Sequence, residues 1–130
     1  MVRAHESGYV ALLSVLVTGA AATAIALALL VNGADSQRVV LVEQQSRQAR
    51  GLAVACAEEA LQQVHDNAAF SGTNMLSLGQ GSCNYTVSLA SPTARSIVVA
   101  GTVRNVVKKI QVYVTINTSS ISITSWQEVS

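Results

Sequence analysis

The most restrictive feature of this sequence is a long uncharged stretch near its N-terminus. No residue between positions 7 and 34 carries a formal charge, and residues 9–31 consist mostly of Ala, Leu, Val and Ile. As a helix, residues 9–31 extend about 34 Å, enough to cross a hydrocarbon core of about 30 Å. Backbone polar groups must be paired inside a bilayer, so we expect one transmembrane helix, which we assign to residues 9–34.

The flanking charges predict how this helix is oriented. Arg3 and the N-terminal amine precede it, and Asp35 is the first charge after it. The positive-inside rule therefore places the N-terminus in the cytoplasm. We expect a single-pass protein of the inner (plasma) membrane with its C-terminal domain outside the cytoplasm. A cleaved secretory signal ending near Gly33 is the alternative, although its apolar core is longer than such signals usually have.

A strip of small side chains runs along the apolar helix. Ser14, Thr18, Ala22 and Ala26 recur at every fourth position and so share one face. In lipid, such strips let two helices approach closely. An Ala-rich span also produces them by chance. We interpret the strip as a candidate surface for packing against another helix.

The helix is expected to continue beyond the membrane. Residues 35–66 contain no proline and are rich in Gln, Arg, Glu, Ala, Leu and Val. The apolar residues Ala53, Ala57, Ala60, Leu61 and Val64 recur at helical spacing and predict one apolar side. We therefore assign residues 35–66 to an amphipathic continuation of the same helix.

Most of the remaining chain shows the alternation of apolar and polar residues that is typical of β-strands. Residues 67–82 combine several Gly with Ser, Thr and Asn, which is typical of a loop. Residues 83–130 contain four runs in which apolar and polar residues alternate, which indicates an antiparallel meander with one apolar face. Only the apolar side of residues 52–64 is available to cover that face. We predict an α+β fold in which a long N-terminal helix, half transmembrane and half amphipathic, packs on a four-stranded antiparallel sheet.

The two cysteines fall in different layers of this fold. Cys56 lies on the helix and Cys83 opens the first predicted strand. Exported domains fold in an oxidising compartment, which favours a disulfide between them over two buried thiols. Such a bridge stabilises a domain by roughly 3–4 kcal/mol in the loop-entropy model.

The N-terminal residues carry a resemblance to a known family. Residues 6–17, ESGYVALLSVLV, resemble the leader junction of type IV pilins and pseudopilins, and the order of helix and sheet is also similar. The resemblance implies that residues 1–8 are a leader, that a prepilin peptidase cuts between Gly8 and Tyr9, and that Tyr9 becomes the new N-terminus. It also implies that the helix first anchors the chain in membrane lipid and later packs against other pilin subunits.

One position departs from the family pattern. Typical pilins have a glutamate at the fifth residue of the mature chain, and counting from Tyr9 that residue is Leu13. Some minor pilins and tip pseudopilins also lack this acid, notably those of the PilX-like group. The resemblance is therefore greatest to minor pilins.

Catalytic and ligand-binding patterns are weak in this sequence. The adjacent pairs Glu58-Glu59 and His65-Asp66 are expected to point in different directions on a helix, so we predict neither an acid–base pair nor a metal site. Net charge is +1, which gives no reason to expect nucleic acid. Residues 35–66 sum to −2 and residues 67–130 to +3, a mild asymmetry. We expect no enzyme activity, no cofactor and no small-molecule substrate.

The function predicted from these features is structural. We expect a minor pilin or pseudopilin of a type IV pilus or type II secretion-like filament, which is anchored in the inner membrane before assembly and reaches the pilus or cell surface afterwards. The alternative is a single-pass, membrane-anchored extracytoplasmic binding module that does not assemble.

Overall fold

The computed structural model describes residues 2–129, with side chains from Ser7 onward. One α-helix is followed by five β-strands: α1 (Val2–Asp66), β1 (Gly72–Leu78), β2 (Gly81–Ser91), β3 (Ala94–Val103), β4 (Val106–Ile116) and β5 (Ile121–Val129). The chain divides into two compact units at positions 40 and 41. Unit 1, residues 1–40, contributes the first part of α1. Unit 2, residues 41–130, contains the rest of α1 and the sheet.

The sheet of unit 2 is an antiparallel meander in the order β1-β2-β3-β4-β5. The α+β class, with a long apolar N-terminal helix and an antiparallel sheet packed on it, is confirmed. The sheet has five strands and not the four that we predicted. The additional strand, β1, lies inside residues 67–82, where we expected only a loop.

The physical reason for the missed strand is its position at the edge. Six of the seven residues of β1 are exposed, and only Leu76 is half-buried. A strand with no buried face needs no apolar alternation, so the pattern that reveals the other strands is absent. Backbone pairing with β2 forms β1 instead, through a tight turn in which Gly79 has a φ of +62°.

The core of unit 2 lies between α1 and the middle of the sheet. The helix contributes small side chains, which let it lie close to the strands, and the strands contribute larger ones. The fully or almost fully buried members are Ala49, Ala53, Ala57, Ala60 and Val64 from α1, and Tyr85, Val87, Ile97, Val99, Ile110, Val112 and Val114 from the sheet. Leu61, which we placed on the apolar side of the helix, is half-buried at its flank.

Helix and sheet approach closely at Gly101 of β3. A Cβ atom at this position would collide with the backbone carbonyl oxygen of Ala49 and with the backbone nitrogen of Ala53. Only glycine fits there, because the neighbouring atoms belong to the helix backbone and cannot rotate away.

The two layers are also joined covalently. Cys56 of α1 and Cys83 of β2 form a disulfide, and both residues are buried. The predicted bridge is therefore confirmed, and no described cysteine is free.

A buried arginine fixes the end of the unit where α1 terminates. Arg95 of β3 is 5% exposed, and its guanidinium donates hydrogen bonds to four backbone carbonyls. These carbonyls belong to Ala68, beyond the helix, and to Ser91, Pro92 and Ala94, around the β2–β3 turn. No local pattern signals this role, because a lone arginine in a strand usually faces solvent.

Candidate assembly surfaces

The first candidate surface is the apolar part of α1 in unit 1. All residues from 9 to 31 are exposed, and the large hydrophobic ones range from 51% exposed at Leu13 to 73% at Leu12. Among the described residues, α1 is the helix long and apolar enough to span a membrane, and none of its most apolar window is buried. This is consistent with the single-pass anchor that we predicted.

The strip of small residues lies on this exposed helix. Its two hydroxyl groups are already used, because Ser14 donates to the carbonyl of Val10 and Thr18 donates to the carbonyl of Ser14 at 2.8 Å. The strip formed by Ser14, Thr18, Ala22 and Ala26 therefore offers no unsatisfied hydroxyl donor to a neighbouring helix. Close contact along it would gain dispersion energy and not new hydrogen bonds.

The residues of the leader junction are part of the same helix. Gly8, Tyr9 and Leu13 lie within α1, and Tyr9 is 68% exposed. Residue 13 is a leucine, so the helix has no side-chain carboxylate at this position. The side chains of residues 1–6 lie outside the described part of the chain. They include Arg3, whose charge predicts the orientation of the helix in the membrane.

The second candidate surface is a cleft in unit 2 between α1 and β5. The β4–β5 register pairs Ile121, Ile123 and Trp126 with Ile116, Val114 and Val112, so all three face the helix side of the sheet. A register shift near Val114 keeps Ile123 and Trp126 on one side although they are an odd number of positions apart. The helix lies over the middle strands and leaves Ile123 51% and Trp126 43% exposed.

This cleft is open and mainly apolar at its base. Its volume is about 320 Å³, and it is lined by Glu58, Leu61, Gln62, His65, Ile121 and Ile123. Sequence reasoning placed the last strand in the sheet but did not reveal that the helix leaves it uncovered. The helix sequence does indicate an uncovered strand, because its apolar stripe is too narrow to cover five strands.

The carboxylates beside the cleft differ in their partners. Glu59 accepts a hydrogen bond from the side-chain amide of Gln63 at 3.0 Å. Glu58 is exposed, and within residues 7–129 it has neither an ion pair nor a side-chain hydrogen bond. The two neighbouring carboxylates therefore have different surroundings.

The His65–Asp66 pair differs from our expectation. The imidazole Nδ1 of His65 lies 3.4 Å from a carboxylate oxygen of Asp66, so the two side chains converge at the end of the helix. Both are well exposed, and the last turn of a helix allows this approach. Among the described residues, no group of three or more His, Cys, Asp or Glu has an arrangement suited to a metal ion.

Charge is distributed unevenly between the two ends of unit 2. One end carries Arg47, Arg50, Arg104, Lys108 and Lys109 together with Glu43 and Glu128, a net charge of +3. Glu58 and Glu59 follow the bridged Cys56 along α1, and only Asp66 and the buried Arg95 lie at the other end, where α1 terminates. Glu128 partly neutralises the first end, since its carboxylate lies 3.4 Å from Arg50 and 3.6 Å from Lys108.

A second open cleft lies at the more basic end. Its volume is about 390 Å³, and it is lined by Gln48, Gly51, Leu52, Leu78, Gly79, Gln80, Gly81 and Val103. No charged side chain of the described residues lines it, and backbone and apolar groups form most of its wall.

No protein-family model, no curated protein and no solved structure matches this chain.

Proposed function

We propose that this protein is a structural subunit of a pilin-like filament, either a minor pilin of a type IV pilus or a pseudopilin of a type II secretion-like system. One observation carries the proposal. The uncharged, exposed helical segment of residues 9–31 belongs to α1, the helix whose later residues pack on the sheet.

The apolar segment cannot remain in water. Twelve large hydrophobic side chains between positions 9 and 31 are at least half exposed. At about 1.5–3 kcal/mol for each buried side chain, covering them is worth on the order of 20 kcal/mol. Lipid covers them before assembly, and neighbouring subunits cover them in a filament. The inner membrane and other pilin subunits are therefore the partners that we propose.

The resemblance at the N-terminus implies how the chain passes from the membrane-anchored state to the filament. A prepilin peptidase cuts between Gly8 and Tyr9 and leaves the helix with Tyr9 at its N-terminus. Leu13 occupies the position at which the main fibre subunits have an acid. An uncharged residue there favours a low-abundance subunit over the main fibre subunit.

Packing along the strip of small residues can be tested with one pair of variants. Ala22→Leu places a bulky side chain in the middle of the strip, whereas Ala24→Leu adds the same side chain about 200° away around the helix. Both preserve hydrophobicity, so membrane insertion is unchanged. In cells that carry the filament system, we expect Ala22→Leu to reduce incorporation into sheared filaments, or cross-linking to other subunits, while Ala24→Leu does not.

The result also separates the proposal from its alternative. Equal incorporation of both variants would show that this strip makes no subunit contact. A chain that is never cross-linked to another subunit, with either side chain, is a membrane-anchored binding module that does not assemble.

A further inference from the structure

We infer that the free edge of β5 binds an extended, non-acidic segment of another protein, which adds a sixth strand to the sheet and fills the cleft between α1 and β5. The inference goes beyond the proposed function, because it concerns a surface of unit 2 that the apolar segment of residues 9–31 does not include. Three features of this surface carry it: its free backbone groups, the apolar cleft beside them, and the charge at the rim.

The hydrogen-bond register of the β4–β5 hairpin shows which backbone groups of β5 are free. The N–H of Asn117 donates to the carbonyl of Ser120 at 2.8 Å, and Ile116 lies opposite Ile121. In an antiparallel ladder, hydrogen-bonded and non-hydrogen-bonded pairs alternate. Ile121 and Ile123 therefore both direct their N–H and C=O groups away from β4. Because β5 is the last strand of the sheet, no other described strand pairs with these four groups.

The side chains of the same two residues line the apolar cleft. Ile121 and Ile123 lie on the helix side of the sheet, and Leu61 of α1 also lines the cleft. Residues that exchange hydrogen bonds across an antiparallel ladder lie directly opposite each other, and their side chains share a face. A strand bonded to Ile121 and Ile123 therefore places its own alternate side chains in this cleft of about 320 Å³. One extended occupant pairs the free backbone groups and covers the apolar base.

The rim of the cleft selects against an acidic segment. Glu58 lines the cleft, is exposed, and has neither an ion pair nor a side-chain hydrogen bond within residues 7–129. No Lys or Arg of the described residues lines the cleft. A carboxylate of the partner would be repelled there, whereas a lysine or arginine would meet an opposite charge. We therefore expect a segment with apolar residues at alternate positions and a neutral or positive charge.

The other edge strand lacks this combination. β1 also has only one neighbour, β2. Its register with β2 places Gly72 and Asn74 on the helix side of the sheet. Apolar side chains on that side of β1 are confined to the end near its turn, at Leu76 and Leu78. β1 therefore provides a control edge for the experiment.

A second copy of this chain fits the edge of β5 less well than another protein does. Two β5 strands related by a two-fold axis would pair antiparallel. Residues 41–66 of the two copies would then run in opposite directions, although both follow a segment that we place in the same membrane. Pairing of β5 with β1 of a further copy would repeat without end, which does not suit the low-abundance subunit that we propose.

Binding of a defined strand to the full-length protein in lipid nanodiscs tests the inference. The probe is a synthetic peptide with the sequence of residues 106–116, VVKKIQVYVTI, which has alternating apolar residues, two lysines and no acid. Trp126 is the only tryptophan of the chain, is 43% exposed and lies on the same side of β5 as Ile123, so its emission reports coverage of the cleft. We expect saturable binding with a blue shift of this emission. No saturation up to about 1 mM peptide would overturn the inference.

Two N-methylated forms of the peptide test whether it binds as a strand. Methylation at the nitrogens of Val112 and Val114 removes N–H groups from residues whose side chains enter the cleft, and these N–H groups face β5 in the paired strand. Methylation at Gln111 and Tyr113 removes N–H groups that face away from β5. We expect the first form to bind about tenfold more weakly than the second. Equal affinity of the two forms would refute strand pairing.

Variants of the protein locate the peptide. Ile123→Ser removes an apolar side chain of the cleft and should weaken binding by about tenfold. Met75→Ser makes a similar change on β1, where Met75 is 67% exposed, and should alter the affinity less than about twofold. A greater effect of Met75→Ser than of Ile123→Ser would place the peptide on the wrong edge and overturn the inference.

Cross-linking tests a second copy as the occupant. The native cysteines are joined to each other, so a bismaleimide reacts only with the introduced thiol of Ser122→Cys. We expect this variant to remain monomeric. A cross-linked dimer that the peptide abolishes would show that a second copy occupies the edge of β5 and would overturn the inference. Binding of the peptide together with equal incorporation of Ala22→Leu and Ala24→Leu would keep this contact and refute only the proposed helix packing.

Discussion

Because α1 lies so close to Gly101, we predict that a larger residue at this position destabilises unit 2. In Gly101→Ala, the new methyl group meets the carbonyl oxygen of Ala49 and the backbone nitrogen of Ala53. Neither atom can move unless the helix lifts from the sheet. Lifting loosens the packing of Ala53 and Ala57, which are fully buried. Overpacking of this kind costs about 1–3 kcal/mol, and the rigidity of the neighbouring backbone places Gly101→Ala at the upper end.

The assay is thermal unfolding of the full-length protein in detergent, with the disulfide intact. For a domain the size of unit 2, a loss of 1 kcal/mol lowers Tm by about 4–8 °C, so we expect a decrease of roughly 10–20 °C. Gly51→Ala is the matched control. It lies in α1, nothing outside its own turn of helix comes within 4 Å of the place where its methyl group would stand, and Ala is the better helix former by roughly 0.5–1 kcal/mol. Gly51→Ala should therefore raise Tm. A Gly101→Ala protein as stable as the parent would refute the packing of helix on sheet described above.

Three further predictions concern the same unit. Replacing both cysteines, in Cys56→Ser/Cys83→Ser, should lower the free energy of unfolding by roughly 3–4 kcal/mol, and reduction of the parent protein should reproduce this loss in the same unfolding assay. Arg95→Leu removes the donor for four carbonyls and should cost about 2–3 kcal/mol, whereas Arg104→Leu, at an exposed turn, should change stability by less than about 0.5 kcal/mol. Ile123→Ser, at a position of β5 that is 51% exposed, should lower Tm much less than Val114→Ser, because Val114, its partner on β4, is fully buried.

The periodicity of the sequence was sufficient to predict the main elements of the fold. The spacing of Ala53, Ala57, Ala60 and Val64 identified the buried side of the helix, because all four belong to the core that the helix shares with the sheet. Alternation identified β2 to β5, since each has residues that face the helix. The positions of Cys56 and Cys83 in different layers were enough to predict their bridge.

The rest depended on contacts between distant parts of the chain. β1 has no buried face and so leaves no periodic signal. The cleft beside β5 exists because a helix covers fewer than five strands, and neither the side chain of Ile123 nor that of Trp126 indicates by itself whether it is covered. The burial of Arg95 depends on the carbonyl of Ala68, 27 residues earlier in the chain. Local patterns carry no information about such pairs.

The measurement that tests the central claim most directly is the mass of the N-terminus of the native protein, purified from membranes. Processing as a pilin-like subunit predicts a chain that begins at Tyr9 with a methylated amine. Gly8→Val should block the cut and leave the full-length chain, while Gly19→Val, a matched change farther along the helix, should not. An intact Met1 in the native protein, or a chain that begins near Ala34, would contradict the account and indicate a permanent anchor or an ordinary secretory signal, respectively.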